Sequence, residues 1–213
     1  MPEQHVKNKK VKNLIDWTLS ILVALILTLF IKGNVGFVTK VSGVSMEPTF
    51  EDNDNAILNR LVYRFNKPKK GDIIVLNQNK KSNNIFYNIY EEGKNVISGI
   101  EYKLGTSTEV NEDNMIKRIV ATEGDLVEVK NGNLYVNGEI EELKSKKGAT
   151  YELIEIRYPI TIPKDHVFVM GDNREKSYDS RIMGPIKLEQ IKGRVDWIIM
   201  PLDRAGRING GRK

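Results

Sequence analysis

A serine, a lysine and a dense polar loop carry the chemistry that can be read from this chain. Ser45 sits in Ser42-Gly43-Val44-Ser45-Met46-Glu47-Pro48-Thr49-Phe50. Glycine two residues before it and proline three after it predict a tight turn that can present a hydroxyl, although serine in such a turn is ordinarily turn chemistry alone. Lys117 lies in Met115-Ile116-Lys117-Arg118-Ile119-Val120-Ala121. Strand alternation puts it on one face with Met115, Ile119 and Ala121. Two readings stay open: an edge strand whose lysine snorkels outward, or an inward lysine whose ammonium is destabilised by desolvation, leaving an amine usable as a base. The third segment, Gly171-Asp172-Asn173-Arg174-Glu175-Lys176-Ser177-Tyr178-Asp179-Ser180-Arg181, follows the apolar run VFVM. It reads either as a solvated loop or as a platform of hydroxyls, carboxylates and guanidiniums orienting a site. A fourth segment, Gly71-Asp72-Ile73-Ile74-Val75-Leu76, is a turn into a buried strand.

Composition narrows the chemistry. The 213 residues include no cysteine, which excludes disulfides, thiolate metal sites, iron–sulfur clusters and a cysteine nucleophile. The two histidines, His5 and His166, exclude a multi-histidine metal site and leave any Ser–His–Asp triad dependent on His166. No metal and no cofactor are expected. The net charge of +5 is concentrated near the N-terminus: residues 1–32 hold five lysines against Glu3 and Asp16. The rest carries no basic stripe, so a nucleic-acid partner is not expected.

The elements that must position these residues begin with an anchor. Residues 14–31, LIDWTLSILVALILTLFI, contain one charge, Asp16. As a helix they span about 27 Å, close to the hydrocarbon thickness of a bilayer. A core helix would show a polar face, and this run has none. A cleaved signal peptide would need a small-x-small site, which Lys32-Gly33-Asn34-Val35-Gly36-Phe37 does not offer. The sequence therefore predicts one uncleaved transmembrane helix, with residues 1–13 cytoplasmic because the lysines precede it, and the rest outside the plasma membrane. Beyond it the chain is mainly β, with candidate strands at 35–41, 56–62, 72–76, 85–90, 96–103, 114–122, 126–130, 133–137, 151–157, 166–170 and 194–199. Asn131-Gly132 predicts a hairpin. Residues 186–192 read as two helical turns, 77–84 and 91–95 as exposed loops, and 203–213 as a flexible tail. An antiparallel sheet or barrel-like domain over 33–202 is expected.

SGVSMEPTF, KKGDIIVL, KRIVATEGD and GDNREKSYDSR, in that order after an anchor, resemble the boxes of bacterial type I signal peptidases, and Gly43 resembles the Gram-positive branch. The resemblance implies a β catalytic domain of the type shared with LexA-like proteins, acting on signal peptides of exported preproteins at the lipid bilayer. It implies Ser45 as nucleophile, with its backbone amide as an oxyanion donor, and Lys117 as general base. Ser177 would orient the lysine amine; Asp179 and Arg181 would brace the loop; Asp172 and Arg118 would buttress the site. In some members a serine two residues before the nucleophile supplies a second oxyanion donor, and here that position is Gly43. The stretch 77–113 is longer than the branch leads one to expect and reads as a surface excursion. Val44, Met46 and Phe50 are either core or a surface dipping into lipid headgroups. The rivals are a self-cleaving LexA-like repressor, which would need a DNA-binding region where the anchor lies, the reticulum form with histidine in place of Lys117, and a non-enzymatic tethered β module.

Overall fold

The computed structural model describes residues 2–104, 114–153 and 156–208, with side chains from Val11 onward. The chain divides into two compact units. One comprises α1 (Pro2–Asn34) and, after a β-rich interval carrying the short helix α2 (Val62–Phe65), α3 (Ile85–Lys103). The other spans Gly36–Asn84 and Asn111–Lys213.

Within α1, Val11–Asn34 is long and apolar enough to cross a membrane, with a mean hydropathy of 2.4. Its side chains from Val11 to Thr28 are exposed on every face, so it is not a core helix.

The strands, in chain order, are β1 Gly36–Lys40, β2 Asn55–Asn59, β3 Ile73–Asn77, β4 Asn114–Thr122, β5 Leu126–Lys130 and β6 Asn133–Val136. There follow β7 Glu139–Ile140, β8 Ile160–Thr161, β9 His166–Met170, β10 Ile186–Lys187, β11 Ile191–Met200 and β12 Gly206–Arg207. The main sheet runs β1-β2-β11-β3-β4-β9-β10, with β12 paired to β11, and a smaller sheet runs β7-β6-β5-β8. Every ladder is antiparallel. The mainly β, antiparallel domain is the fold class expected from the sequence. Asn131 and Gly132 both take positive φ between β5 and β6, the geometry a two-residue hairpin requires.

Three apolar clusters hold the domain together. Met46, Phe50, Leu58, Ile73, Val75 and Val195 pack in the first. Val120, Ala121, Val129, Leu134, Phe168 and Met170 join the small sheet to the large one in the second. Ile74, Leu76, Ile119, Val169 and Ile191 form the third. Met46 and Phe50 are thus core, and of the three apolar residues around the serine only Val44 reaches the surface.

Several local expectations are corrected. Residues 85–90 and 96–103 are helical, not strands. Their apolar residues recur at 85, 89, 96 and 100, spacings of four and seven that suit a helix; β-rich composition masked it. The loop expected at 91–95 belongs to the same helix. Residues 186–192 form β10, a single 3₁₀ turn and the start of β11, because Ile186 and Ile191 must both reach one cluster. No strand occurs at the described residues of 151–157; Ile154 and Glu155 lie outside them. The tail is not free over residues 203–208: β12 pairs with Trp197 and Ile198, and Arg204 binds Asp54 at 3.0 Å. Residues 209–213 lie outside the described residues.

Candidate active site

β4 places the lysine. It lies between β3 and β9, and although its first residues have no partner on the β9 side, Lys117 does not snorkel outward: it is 3% exposed. Its ladder partner is Ile74, on the face that carries Met115 and Ile119. A register shift between Ile119 and Ala121 moves Ala121 into a different cluster, so that member of the expected apolar face is replaced by Ile74. Pairing with β9 begins only at Arg118. Asn114–Lys117 consequently have β3 on one side and a cleft of about 440 Å³ on the other.

The serine turn lies across that cleft. Lys117 Nζ donates to Ser45 Oγ at 2.8 Å and to the Ile116 carbonyl at 2.9 Å. Burial lowers the lysine pKa from 10.5 to about 8, against Asp179 and Asp172, whose negative charges raise it. Desolvation wins because neither carboxylate touches the amine, whereas the whole alkyl stem and head are out of water. Met46 and Phe50 root the turn in the core. Gly43 takes φ +85, a left-handed conformation that favours glycine, and its N–H donates to Asp52 Oδ1 at 2.8 Å.

The polar loop is fastened to this turn from behind. Asn173 donates its backbone N–H to the Ser45 carbonyl and its Nδ2 to the Val44 carbonyl, each at 3.1 Å. Gly171 permits the approach: a Cβ there would lie 2.3 Å from Ser177 Oγ and 2.4 Å from the Ser45 carbonyl oxygen. Asp179 accepts from the Gly171 N–H at 3.1 Å and from Arg181 Nε at 2.9 Å. Arg181 in turn donates to the Arg174 carbonyl at 2.6 Å. Asp172 takes Arg118 through Nε at 2.8 Å and Nη2 at 2.6 Å, and it also accepts from the Thr49 hydroxyl. Arg118 Nη1 donates to the Gly71 carbonyl at 3.1 Å, which ties in the second sequence box.

Ser45 and Lys117 therefore line one cleft, and Asp172, Asp179, Arg118, Arg181 and Ser177 lie behind it in the loop and strand that hold the serine turn. Ser177 differs in detail from the expectation. Its Oγ is buried without a hydrogen-bond partner, so it does not bond to Lys117 here. His166 is not in the cleft; it lines a separate depression with Gln78 and Met183, at the far end of β9 from Gly171.

Sequence reasoning assigned no role to Asn173, Thr49 or Arg174. Arg174 is almost fully buried and donates to Thr150 Oγ1 at 2.9 Å and Glu141 Oε2 at 2.5 Å. Asn173 and Arg174 stood in the polar loop, where density of polar groups was their only signal. Glu141 and Thr150 lie far from it in sequence and had none.

The arrangement can deprotonate a serine and hold it beside an open strand edge. Comparison with known proteins identifies what the whole chain is similar to. The family model described as signal peptidase, peptidase S26, matches residues 14–200. Signal peptidase I P of Bacillus subtilis subsp. natto is 32% identical over 206 residues, 93% of this chain and 95% of its own. Signal peptidase IB of Staphylococcus aureus (strain N315) is 31% identical over 207 residues, 89% of this chain and 91% of its own. A signal peptidase I crystal structure from Enterococcus faecalis V583 is 22% identical with a TM-score of 0.39, covering 61% of this chain and 97% of that one.

Proposed function

The chain belongs to the signal peptidase family, peptidase S26, as a bacterial type I enzyme, and from its membership we propose that Ser45 is the nucleophile and Lys117 the general base. It is a membrane-anchored serine endopeptidase that removes signal peptides from preproteins. One observation carries the assignment: a buried lysine amine, with its pKa lowered to about 8, 2.8 Å from a serine hydroxyl.

Neutral Lys117 takes the Ser45 proton as Oγ attacks the scissile carbonyl. The carbonyl π pair moves onto oxygen, where the Ser45 N–H stabilises the charge. The Lys117 ammonium then gives its proton to the departing amine as the C–N bond breaks, leaving an acyl-enzyme. Water, deprotonated by the same amine, releases the signal peptide. Asp179, Arg181, Asp172 and Arg118 fix the polar loop and β4, and Ser177 borders the dyad. Gly43 offers no side-chain donor, and its own N–H is engaged by Asp52.

The substrate binds as an extended strand against the free edge of Asn114–Lys117, where main-chain bonds tolerate any sequence. Small side chains one and three residues before the scissile bond enter shallow pockets of the cleft, which Val41, Val75 and Ile116 line. Residues 14–31 form a single span with residues 1–13 in the cytoplasm, and residues 33–202 form the extracytoplasmic catalytic domain, to which β12 is fastened by its pairing with β11. The mechanism calls on no metal, cofactor or nucleic acid. Cleavage of a purified preprotein by wild type and by Ser45→Ala tests the assignment: the variant should fold and not cleave, and cleavage by it would reject Ser45.

A further inference from the structure

α3 leaves most of its apolar side uncovered, which a helix of a water-soluble unit would bury. At about 100° per residue, Ile85, Phe86, Ile89, Tyr90, Val96, Ile97, Ile100 and, just past the end, Leu104 share an arc of roughly 140°. The rest of the circumference carries Glu91, Glu92, Lys94, Asn95, Ser98 and Glu101. Yet the buried residues of the helix are Asn88 and Glu92; of the apolar arc Ile89 and Val96 are half-buried and the other six residues are exposed. Phe86 is 83% exposed and Leu104 73%, with Tyr90, Ile97 and Ile100 each above half.

The buried side meets α1, and the contact is local. Along the described part of α1 only Leu29 and Lys32–Asn34 lose exposure. A Cβ on Gly33 would come within 3.0 Å of the Asn88 carbonyl oxygen, so the two backbones touch there, and Asn88 Nδ2 donates to Asn34 Oδ1 at 3.4 Å. α3 thus crosses the last turns of α1 and does not run along its length. The span Val11–Asn34 has 24 residues, about 36 Å against roughly 30 Å of hydrocarbon, so Gly33 and Asn34 sit at headgroup depth.

We infer that α3 is an interfacial helix: it lies in the outer headgroup layer beside the exit of the anchor, with Phe86, Tyr90, Ile97, Ile100 and Leu104 in the acyl boundary. Its occupant is lipid because its apolar arc continues the lipid-facing surface of α1 within one unit, and because an amphipathic helix across a bilayer surface needs this division of faces. The inserted stretch then gives the anchor a second, lateral attachment. The inference rests on reading α1 as the membrane span.

The absence of cysteine allows single labels without background. Phe86→Cys and Ile97→Cys probe the apolar arc, Lys94→Cys the rest of the circumference, and Leu22→Cys the middle of α1. Each full-length variant is spin-labelled, checked for preprotein cleavage, and reconstituted in phosphatidylcholine–phosphatidylglycerol vesicles. Collision with oxygen, which partitions into lipid, is compared with collision with a water-soluble nickel chelate. Positions 86 and 97 should resemble 22, with an oxygen-to-nickel ratio about threefold or more above that at 94 for a helix 5–10 Å deep. Equal ratios at 86, 97 and 94, with 22 in lipid, overturn the inference and leave the anchor intact. Shielding of 86 and 97 from both reagents also overturns it, in favour of a second copy or another protein. A water-accessible label at 22 would instead refute the anchor on which the inference rests.

Discussion

Replacing Gly171 with alanine should disable the enzyme without unfolding it. The added methyl would begin 2.3 Å from Ser177 Oγ and 2.4 Å from the Ser45 carbonyl oxygen. Contact distances for such pairs are near 3.4 Å, so about 1 Å must be found, and overpacking of that kind costs about 1–3 kcal/mol. One neighbour is a short side chain; the other is the backbone of the proposed nucleophile itself, held by the Asn173 N–H at 3.1 Å. The turn carrying Ser45 is the part able to move, since Gly171 is fixed by Asp179. Moving the nucleophile by about 1 Å costs on the order of a hundredfold in rate. Preprotein cleavage by Gly171→Ala should therefore fall on the order of a hundredfold in kcat, while its melting temperature in detergent drops by about 2–12 °C. The added variant Gly171→Ala/Ser177→Gly removes the side-chain clash and keeps the backbone clash, so it should not recover. Near-wild-type cleavage by Gly171→Ala, or full rescue in the double variant, would refute the argument that this glycine positions Ser45.

Asp172→Ala should destabilise the fold by about 3–5 kcal/mol, because it strands the buried Arg118 guanidinium; chemical denaturation of the full chain in detergent reads this directly. Gly43→Ser should cost about 1–2 kcal/mol from its positive φ alone, since a Cβ there meets nothing within 4 Å, and the same melts will show it. A preprotein with phenylalanine in place of alanine just before the scissile bond should be cleaved drastically more slowly, and equal cleavage would reject the shallow-pocket reading. Protease added outside spheroplasts should digest the β domain and spare residues 1–13.

The parts of the fold governed by local pattern were legible in the sequence. The all-apolar run at 14–31, the Asn131-Gly132 hairpin and most long strands announce themselves through composition and turn chemistry. Lys117 on an apolar face was the sharpest local sign of a site, yet alternation could not tell an inward lysine from one snorkelling out of an edge; only the folded domain, which brings Ser45 from 72 residues away onto its amine, does. α3 was missed because isoleucine and tyrosine favour strands while the spacing of its apolar residues is helical, and its exposed arc gives no core to confirm either. The brace of Arg174 by Glu141 and Thr150 was invisible because those partners come from the chain between β6 and β8 and meet the loop only in the folded domain. The Ile119–Ala121 register shift likewise depends on the partner strand.

The most direct test of the account is the pH profile of kcat/KM for preprotein cleavage by wild type, Lys117→Arg and Lys117→Ala between about pH 6 and 10. With its pKa at about 8, Lys117 presents a free amine in about one molecule in ten at pH 7; at 10.5 it would be about one in 3,000. Because the base is the deprotonated form, wild-type activity should rise about tenfold per pH unit below 8 and flatten above it. Arginine keeps the charge but cannot release its proton in this range, so both variants should be inactive at every pH. Substantial turnover by Lys117→Arg, or a wild-type profile already flat between pH 6 and 8, would contradict the assignment of Lys117 as the base.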